Sequence, residues 1–194
     1  MNKKSIKEDI IMVTVISFIG FCFEELWMLI NFSVLDNRNM FLPFLLGYGL
    51  FVVLLYYLIG LPNNIFNKYD FGSLKNVLLY FLLSFLLVSI GEILLGTFVE
   101  KTGNFYYWNY INIPMHVTRY TSVPTSIGFA LVITIFMNHM YLPLLNKVKK
   151  VSKKIPTFIV IFIFLLLIMD LNVSFKNMYH NKGNNNVWKI EFKK

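Results

Sequence analysis

Long apolar blocks separated by short polar segments run along the whole chain. A helix rises about 1.5 Å per residue, so each block is long enough to cross the roughly 30 Å hydrocarbon core of a bilayer. We therefore predict an all-α, polytopic membrane protein with about five transmembrane helices. The five blocks cover residues 10–32, 41–61, 77–99, 123–145 and 155–175.

The composition supports this prediction. Of the 194 residues, 57% are apolar and only 14% are charged, and the mean hydropathy is +0.61. A soluble domain carries roughly 25% charged residues. Five apolar helices in a soluble protein of this size would leave too little polar chain to cover them. A water-soluble fold is therefore excluded.

The apolar blocks group into two hairpins and one further helix. The chain ends in a polar segment that we expect to be poorly ordered. The predicted segments are a cytoplasmic N-terminus at residues 1–9, a four-helix membrane domain at 10–145 with hairpins 10–61 and 77–145, a fifth transmembrane helix at 155–175, and a polar basic tail at 176–194.

The net charge of +8 is carried mainly by the predicted loops and termini. Cytoplasmic loops are enriched in Lys and Arg. With the N-terminus inside, ten lysines fall on the inner side, whereas the outer loops hold only Arg38, Lys101 and Arg119. This count predicts a multi-pass protein of the cell membrane with a cytoplasmic N-terminus, although the five lysines of the tail fall outside. Basic residues beside membrane spans favour membrane lipid as a partner and argue against nucleic acid.

The second and fourth blocks begin with the same spacing of residues, an arginine, a proline five positions later and a glycine four positions after that. Proline is tolerated in the first turn of a helix, and glycine one turn later allows a neighbouring helix to approach closely. We predict a parallel internal repeat, related by an axis along the membrane normal. The two copies of this helix-entry motif are Arg38, Pro43 and Gly47, and Arg119, Pro124 and Gly128.

Three acids lie at a common depth in the first, third and fifth blocks. Glu24, Glu92 and Asp170 each stand fourteen or fifteen residues into their block, which places them about 21–23 Å from its start. Charged side chains are costly inside a bilayer and mark candidate functional sites. Arg38 and Arg119 stand at the same side of the membrane, where a guanidinium can reach down to a carboxylate.

Two further features bear on this candidate polar site. Glu25 follows Glu24, and neighbours on a helix point about 100° apart, so we expect only one of them to face a given partner. Trp108 and Tyr110 lie in an aromatic stretch between the third and fourth blocks. Such residues favour the membrane interface and would equally serve to roof a cavity below it.

The acids and arginines allow two interpretations. In the structural one, Glu24 pairs with Arg38 and Glu92 with Arg119, which pins each hairpin, while Asp170 only snorkels near its helix end. In the functional one, the acids line a polar cavity for a cationic or polar substrate or for protons. The histidines show no metal-ligand spacing and no nucleotide-binding motif occurs, so we expect no metal, no cofactor and no catalytic residue, and any ATPase would be a separate chain.

With these residues in place, the chain resembles the CmpB-type ABC-transporter permease (type IV) family of small bacterial membrane proteins over residues 10–135. The resemblance implies a permease-like or accessory membrane component, acting with a separate ATPase subunit or as a homo-oligomer. The motifs that carry it are Gly20 to Glu24, Asn37-Arg38 with Pro43 and Tyr48-Gly49, the pair Glu92 and Glu100, and Trp108-Asn109-Tyr110 followed by Thr118-Arg119.

Two alternatives remain open from the sequence. A weaker resemblance to lycopene-cyclase-like membrane enzymes implies that Glu24 or Glu92 acts as a general acid on an isoprenoid or lipid. A structural or immunity-type membrane protein without a substrate is the third hypothesis. Of the three, the permease-like function is the one that we favour, and an enzyme is the less favoured class.

Overall fold

The computed structural model describes residues 5–66, 73–183, 185 and 187–192. Residues 1–4 of the predicted N-terminal segment lie outside this range, as do Lys68, Lys193 and Lys194 among the lysines counted above. The helices are α1 (Ile6–Phe32), α2 (Leu46–Leu58), α3 (Ser73–Gly103), α4 (Val123–Ile135), α5 (Tyr141–Ser152) and α6 (Thr157–His180), with a π-helical turn Phe136–Met140 between α4 and α5.

Four short strands accompany the helices in the described part of the chain. β1 (Val34–Asp36) pairs antiparallel with β4 (Lys189–Glu191), and β2 (Gly60–Leu61) pairs antiparallel with β3 (Asn64–Ile65). The C-terminal tail, which we expected to be poorly ordered, thus includes a paired strand.

Four helical segments among the described residues are long and apolar enough to cross a membrane. In α3, only 17% of the most apolar stretch is buried inside the protein, so most of this surface is apolar and exposed, as lipid contact requires. The prediction of a mostly helical, multi-pass membrane protein is confirmed. The four segments are Ile6–Phe32, Leu74–Gly103, Val123–Ser152 and Thr157–His180.

The second predicted span differs from the helix that forms there. We predicted residues 41–61, but α2 has 13 residues, or about 20 Å. Pro43 disfavours helical backbone in the residue before it, and the N–H groups of Phe41 and Leu42 bind a carboxylate instead of continuing a helix. At the other end, Gly60 has φ 91° and begins β2. The count of five spans is therefore not confirmed by helix length.

The fourth span runs continuously from Val123 to Ser152. Ser122 caps its start by accepting a hydrogen bond from the Thr125 N–H, and Pro124 lies in the first turn as predicted. The π-helical turn ends three residues before Pro143, whose ring nitrogen cannot donate to the carbonyl of His139 within that turn. The missing hydrogen bond explains why the helix widens at this turn.

The two helix-entry motifs differ in structure. Pro124 is inside α4, whereas Pro43 stands before α2 begins at Leu46. A Cβ added to Gly47 or Gly128 would meet no atom within 4 Å. The prediction that these two glycines allow close helix packing is wrong, and the repeat of hairpins is not confirmed.

The chain divides into two compact units, which are described separately. The first unit comprises residues Met1–Leu54 and Leu144–Lys194, and the second comprises Leu55–Pro143. The core of the first unit forms where apolar faces of α1 and α6 are buried, and it includes Met12, Val13, Ile16, Val160 and Leu167. The core of the second unit includes Tyr80, Val99, Phe105, Ala130 and Tyr141.

Candidate functional site

One arginine of the first unit lies among three carboxylates. Arg38 follows β1 in a left-handed turn, with φ 48° at Arg38 and φ 62° at Asn39. Its Nε is 3.1 Å from Asp36 Oδ1 and 3.8 Å from Glu25 Oε1, and its Nη1 is 3.7 Å from Glu24 Oε2. We name Glu24, Glu25, Asp36 and Arg38 the acid–arginine cluster. The structure thus brings Glu24 and Arg38 together, as predicted, whereas Asp36 was not predicted to belong to the site.

Glu24 and Glu25 both face Arg38, so the expectation that only one of them would do so is wrong. The guanidinium is long enough to approach one carboxylate with Nε and the other with Nη1. Glu25 is only 9% exposed. Its Oε2 accepts the Asp36 N–H at 3.0 Å, whereas its Oε1 is buried without a hydrogen-bond partner.

A tyrosine completes the surroundings of Glu24. The Tyr48 hydroxyl donates to Glu24 Oε1. The ring lies against Gly20, where an added Cβ would be 2.7 Å from Tyr48 Cγ. Only glycine leaves room for the ring at this position, one helical turn before the glutamate.

Asp170 has a different environment within the same unit. Its Oδ1 accepts the Phe41 N–H at 3.0 Å and its Oδ2 accepts the Leu42 N–H at 3.2 Å. The side chain is 8% exposed, so it does not snorkel to the surface. Both oxygens are occupied by backbone donors, which makes Asp170 an anchor for the segment that leads into α2.

Glu92 lies in the second unit and is held by hydroxyl groups. Thr121 Oγ1 donates to Glu92 Oε2 at 2.7 Å, and Ser126 Oγ approaches the same oxygen at 3.4 Å. The Tyr110 side chain lies near the same carboxylate. The predicted residues Glu92 and Tyr110 are therefore brought together, with two hydroxyl residues that the sequence did not indicate.

The structure does not bring Arg119 to Glu92. The Arg119 guanidinium carbon lies 4.1 Å from the centroid of the Tyr106 ring, a cation–π contact. In the described part of the chain, no ion pair joins Arg119 to Glu92. Trp108 Nε1 donates to the Tyr120 carbonyl at 2.7 Å, so this residue orders the loop that carries Thr121.

The second unit repeats the tyrosine arrangement seen at Glu24. The Tyr120 hydroxyl donates to Glu100, and a Cβ on Gly96 would lie 2.3 Å from the Tyr120 ring. Burial, together with the hydrogen bond to Glu100, raises the pKa of Tyr120 to about 12. Both units thus contain a glycine, a glutamate four residues later and a tyrosine that donates to it. The Gly-x3-Glu spacing at Gly20 and Glu24 carried part of the family resemblance, but its recurrence at Gly96 and Glu100 was missed.

The helices and their buried carboxylates identify the class of protein, and a match to a family model identifies its family. Four long apolar helices make this a multi-pass membrane protein with carboxylates inside its spans. Over residues 11–175 the chain matches the family model described as Putative ABC-transporter type IV, and it belongs to that family. The match confirms the suspected family and extends through most of α6. No curated protein and no solved structure matches the chain.

Proposed function

We propose that this protein is a permease-like or accessory membrane component of an ABC-type transporter, and that its acid–arginine cluster is a polar site for a cationic or polar substrate or for protons. The observation that carries this proposal is the charge balance of the cluster. One guanidinium lies within 4 Å of three carboxylates, and Glu25 Oε1 is buried without a hydrogen-bond partner.

This imbalance has a chemical consequence. Three carboxylates beside one guanidinium leave an excess of negative charge, because Lys189, which lies opposite Asp36, is paired with Glu191. Uncompensated charge is costly away from water. A cationic group or a proton bound at Glu25 would offset that cost. Glu92 supports the same proposal, because its carboxylate receives hydroxyl hydrogen bonds and no ion pair with Arg119.

In the second unit, Glu92 and the residues around it are proposed as a second polar site. Glu92 and Tyr110 would contact the substrate or proton, and Trp108 would hold the loop above them. Arg119 would keep that loop in place through Tyr106. A separate ATPase subunit or a second copy of the chain is the proposed partner, in keeping with the family description.

Glu25→Gln is expected to abolish transport while the protein still folds. The amide keeps the size of the side chain but removes the charge that faces Arg38. Purified protein in proteoliposomes would be assayed by quenching of a pH-sensitive dye and by uptake of labelled methylammonium. Glu8→Gln, at the first turn of α1, is the matched control and should retain the wild-type rate. Wild-type flux in Glu25→Gln would remove the cluster from the proposal.

We also propose five membrane crossings, with α2 as the short one. The pairing of β1 with β4 supports this, because it requires both strands to lie on one side of the membrane. Between them the chain must then cross an even number of times. The three long spans from Leu74 to His180 supply an odd number. α2 supplies the fourth, and the non-helical residues 41–45 precede it.

Cysteine labelling tests this topology. In a Cys22→Ser background, Lys182→Cys in the tail should react with a membrane-impermeant maleimide added to intact cells. Asn63→Cys, in the exposed turn between β2 and β3, should react only after permeabilisation, because α2 has carried it to the cytoplasmic side. Ile6→Cys, exposed at the start of α1, should also react only after permeabilisation. Labelling of Asn63→Cys but not of Ile6→Cys from outside would show that α2 does not cross, and labelling of both from outside would place the N-terminus outside.

We further propose that the two units arose by duplication. The arrangement of Gly20, Glu24 and Tyr48 in the first unit matches that of Gly96, Glu100 and Tyr120 in the second. This shared geometry supports a duplication better than the helix-entry spacing does. It aligns Glu24 with Glu100, an offset of 76 residues, whereas the helix-entry spacing aligned Arg38 with Arg119, an offset of 81 residues.

A further inference from the structure

The C-terminal tail is bound to the loop that carries Arg38. β4 pairs with β1 so that Val34 faces Glu191, and Asp36 faces Lys189. The Phe192 N–H extends the pairing by donating to the Ser33 carbonyl at 2.8 Å. The tail therefore lies directly beside the strand that presents Asp36 to the acid–arginine cluster.

A second set of contacts comes from one buried asparagine of the tail. Asn185 is 7% exposed and hydrogen-bonds through its backbone and its side chain. Its N–H donates to Asn39 Oδ1 at 3.0 Å and its Nδ2 donates to the Asn39 carbonyl at 2.9 Å. Its Oδ1 accepts from Asn177 Nδ2 of α6 at 3.2 Å. One residue thus joins the tail, α6 and the Arg38 turn.

Asn37 makes the reciprocal contacts from the loop. It is 2% exposed, and its Nδ2 donates to the carbonyls of Met40 and Asn185 at 2.8 and 2.9 Å. Its Oδ1 accepts the Val187 N–H at 3.1 Å. The Asn37 Oδ1 and one of its two Nδ2 hydrogens therefore have these partners only when the tail is in place, and buried polar groups that lose their partners are costly.

These contacts flank Arg38 on both sides. A left-handed backbone is unfavourable for arginine and persists only where the surroundings enforce it. Here Asn37 and Asn39, the residues before and after Arg38, are both bound to Asn185. The Arg38 N–H is held by Asp36 Oδ1 at 2.7 Å. The turn that directs the guanidinium towards Glu24 and Glu25 is thus fixed largely by the tail.

We propose that the C-terminal tail is a strap on the acid–arginine cluster, with Asn185 as the positioning residue that keeps Arg38 against its carboxylates. When the strap leaves, the left-handed turn relaxes and Arg38 withdraws from Glu24 and Glu25, which exposes the carboxylates. The role of the strap in transport rests on the proposed function, whereas its hold on the loop does not.

Disulfide cross-linking tests whether the strap lies on β1 in membranes. In a Cys22→Ser background, Val34→Cys with Glu191→Cys places two cysteines directly opposite each other, close enough for a disulfide. Val34→Cys with Ile190→Cys is the matched control, since successive side chains of a strand point to opposite faces. We expect mild oxidation to link most of the first pair and little of the second. Equal or absent linkage of both pairs would overturn the strap.

Hydrogen exchange then tests the positioning role of Asn185. In Asn185→Ala, and in a chain ended after Gly183, amide exchange over residues 36–42 should accelerate at least tenfold while exchange in α3 stays unchanged. Asn181→Ala, an exposed asparagine of the same tail, should behave as the wild type. Unchanged exchange in the loop would refute the positioning role, and so would equal acceleration in α3, which would mean general destabilisation. Neither readout uses transport, so a failure of the proposed function is distinguishable from a failure of the strap.

Discussion

Replacing Gly49 with alanine is expected to disrupt the packing of α2 on α1. A Cβ at this position would lie 2.1 Å from the Val13 carbonyl oxygen and 2.4 Å from Ser17 Oγ. The nearest atom belongs to helix backbone, which cannot rotate away as a side chain can. The two helices would have to separate, at a cost of about 3 kcal/mol, the upper end of the usual range for overpacking.

The matched control stands two residues earlier in the same helix. A Cβ at Gly47 would meet nothing within 4 Å, so Gly47→Ala should leave stability unchanged or slightly raised, because alanine is the better helix former. Thermal unfolding of both variants in the same detergent, followed by tryptophan fluorescence, compares them directly. Equal midpoints for Gly47→Ala and Gly49→Ala would contradict the close approach of α2 to α1.

These two glycines illustrate what the sequence could and could not predict. The repeated spacing directed attention to Gly47, whereas Gly49 makes the contact. Residues two apart on a helix point about 200° apart. α2 carries no charged residue between Leu46 and Leu58, and a helix that is apolar all round has no polar face to show its rotation. The existence of the helix was predictable, but the face that packs was not.

The acids of the candidate site were likewise predictable only in part. Their positions within the spans were evident from the chain, because charge is rare in apolar segments. Their partners were not, because the turn at Arg38 and the non-helical residues 41–45 depend on hydrogen bonds to residues more than a hundred positions away. Asp36 and Asn185 look like ordinary loop residues in the sequence, and only the tertiary structure shows that they surround Arg38.

The anchor at Asp170 explains how α2 remains short. Residues 41–45 would otherwise extend an apolar helix towards the membrane surface, and the N–H groups of Phe41 and Leu42 need acceptors wherever water is excluded. Asp170 supplies two carboxylate oxygens to them from α6. This arrangement makes α2 begin at Leu46 and leaves Pro43 outside the helix.

Asp170→Ala is therefore expected to destabilise the first unit by about 3 kcal/mol, because two backbone N–H groups lose a charged acceptor. Asp170→Asn should lose less, since one oxygen remains to accept. Asn172→Ala is the control: its exposed side chain bonds only its own helix, at the Ile168 carbonyl, among the contacts described. Thermal unfolding and amide exchange at Phe41 and Leu42 would be measured for all three variants. If Asp170→Ala were as stable as Asn172→Ala, the carboxylate would not be the anchor, and its burial in α6 would need a functional explanation of the kind proposed for Glu25.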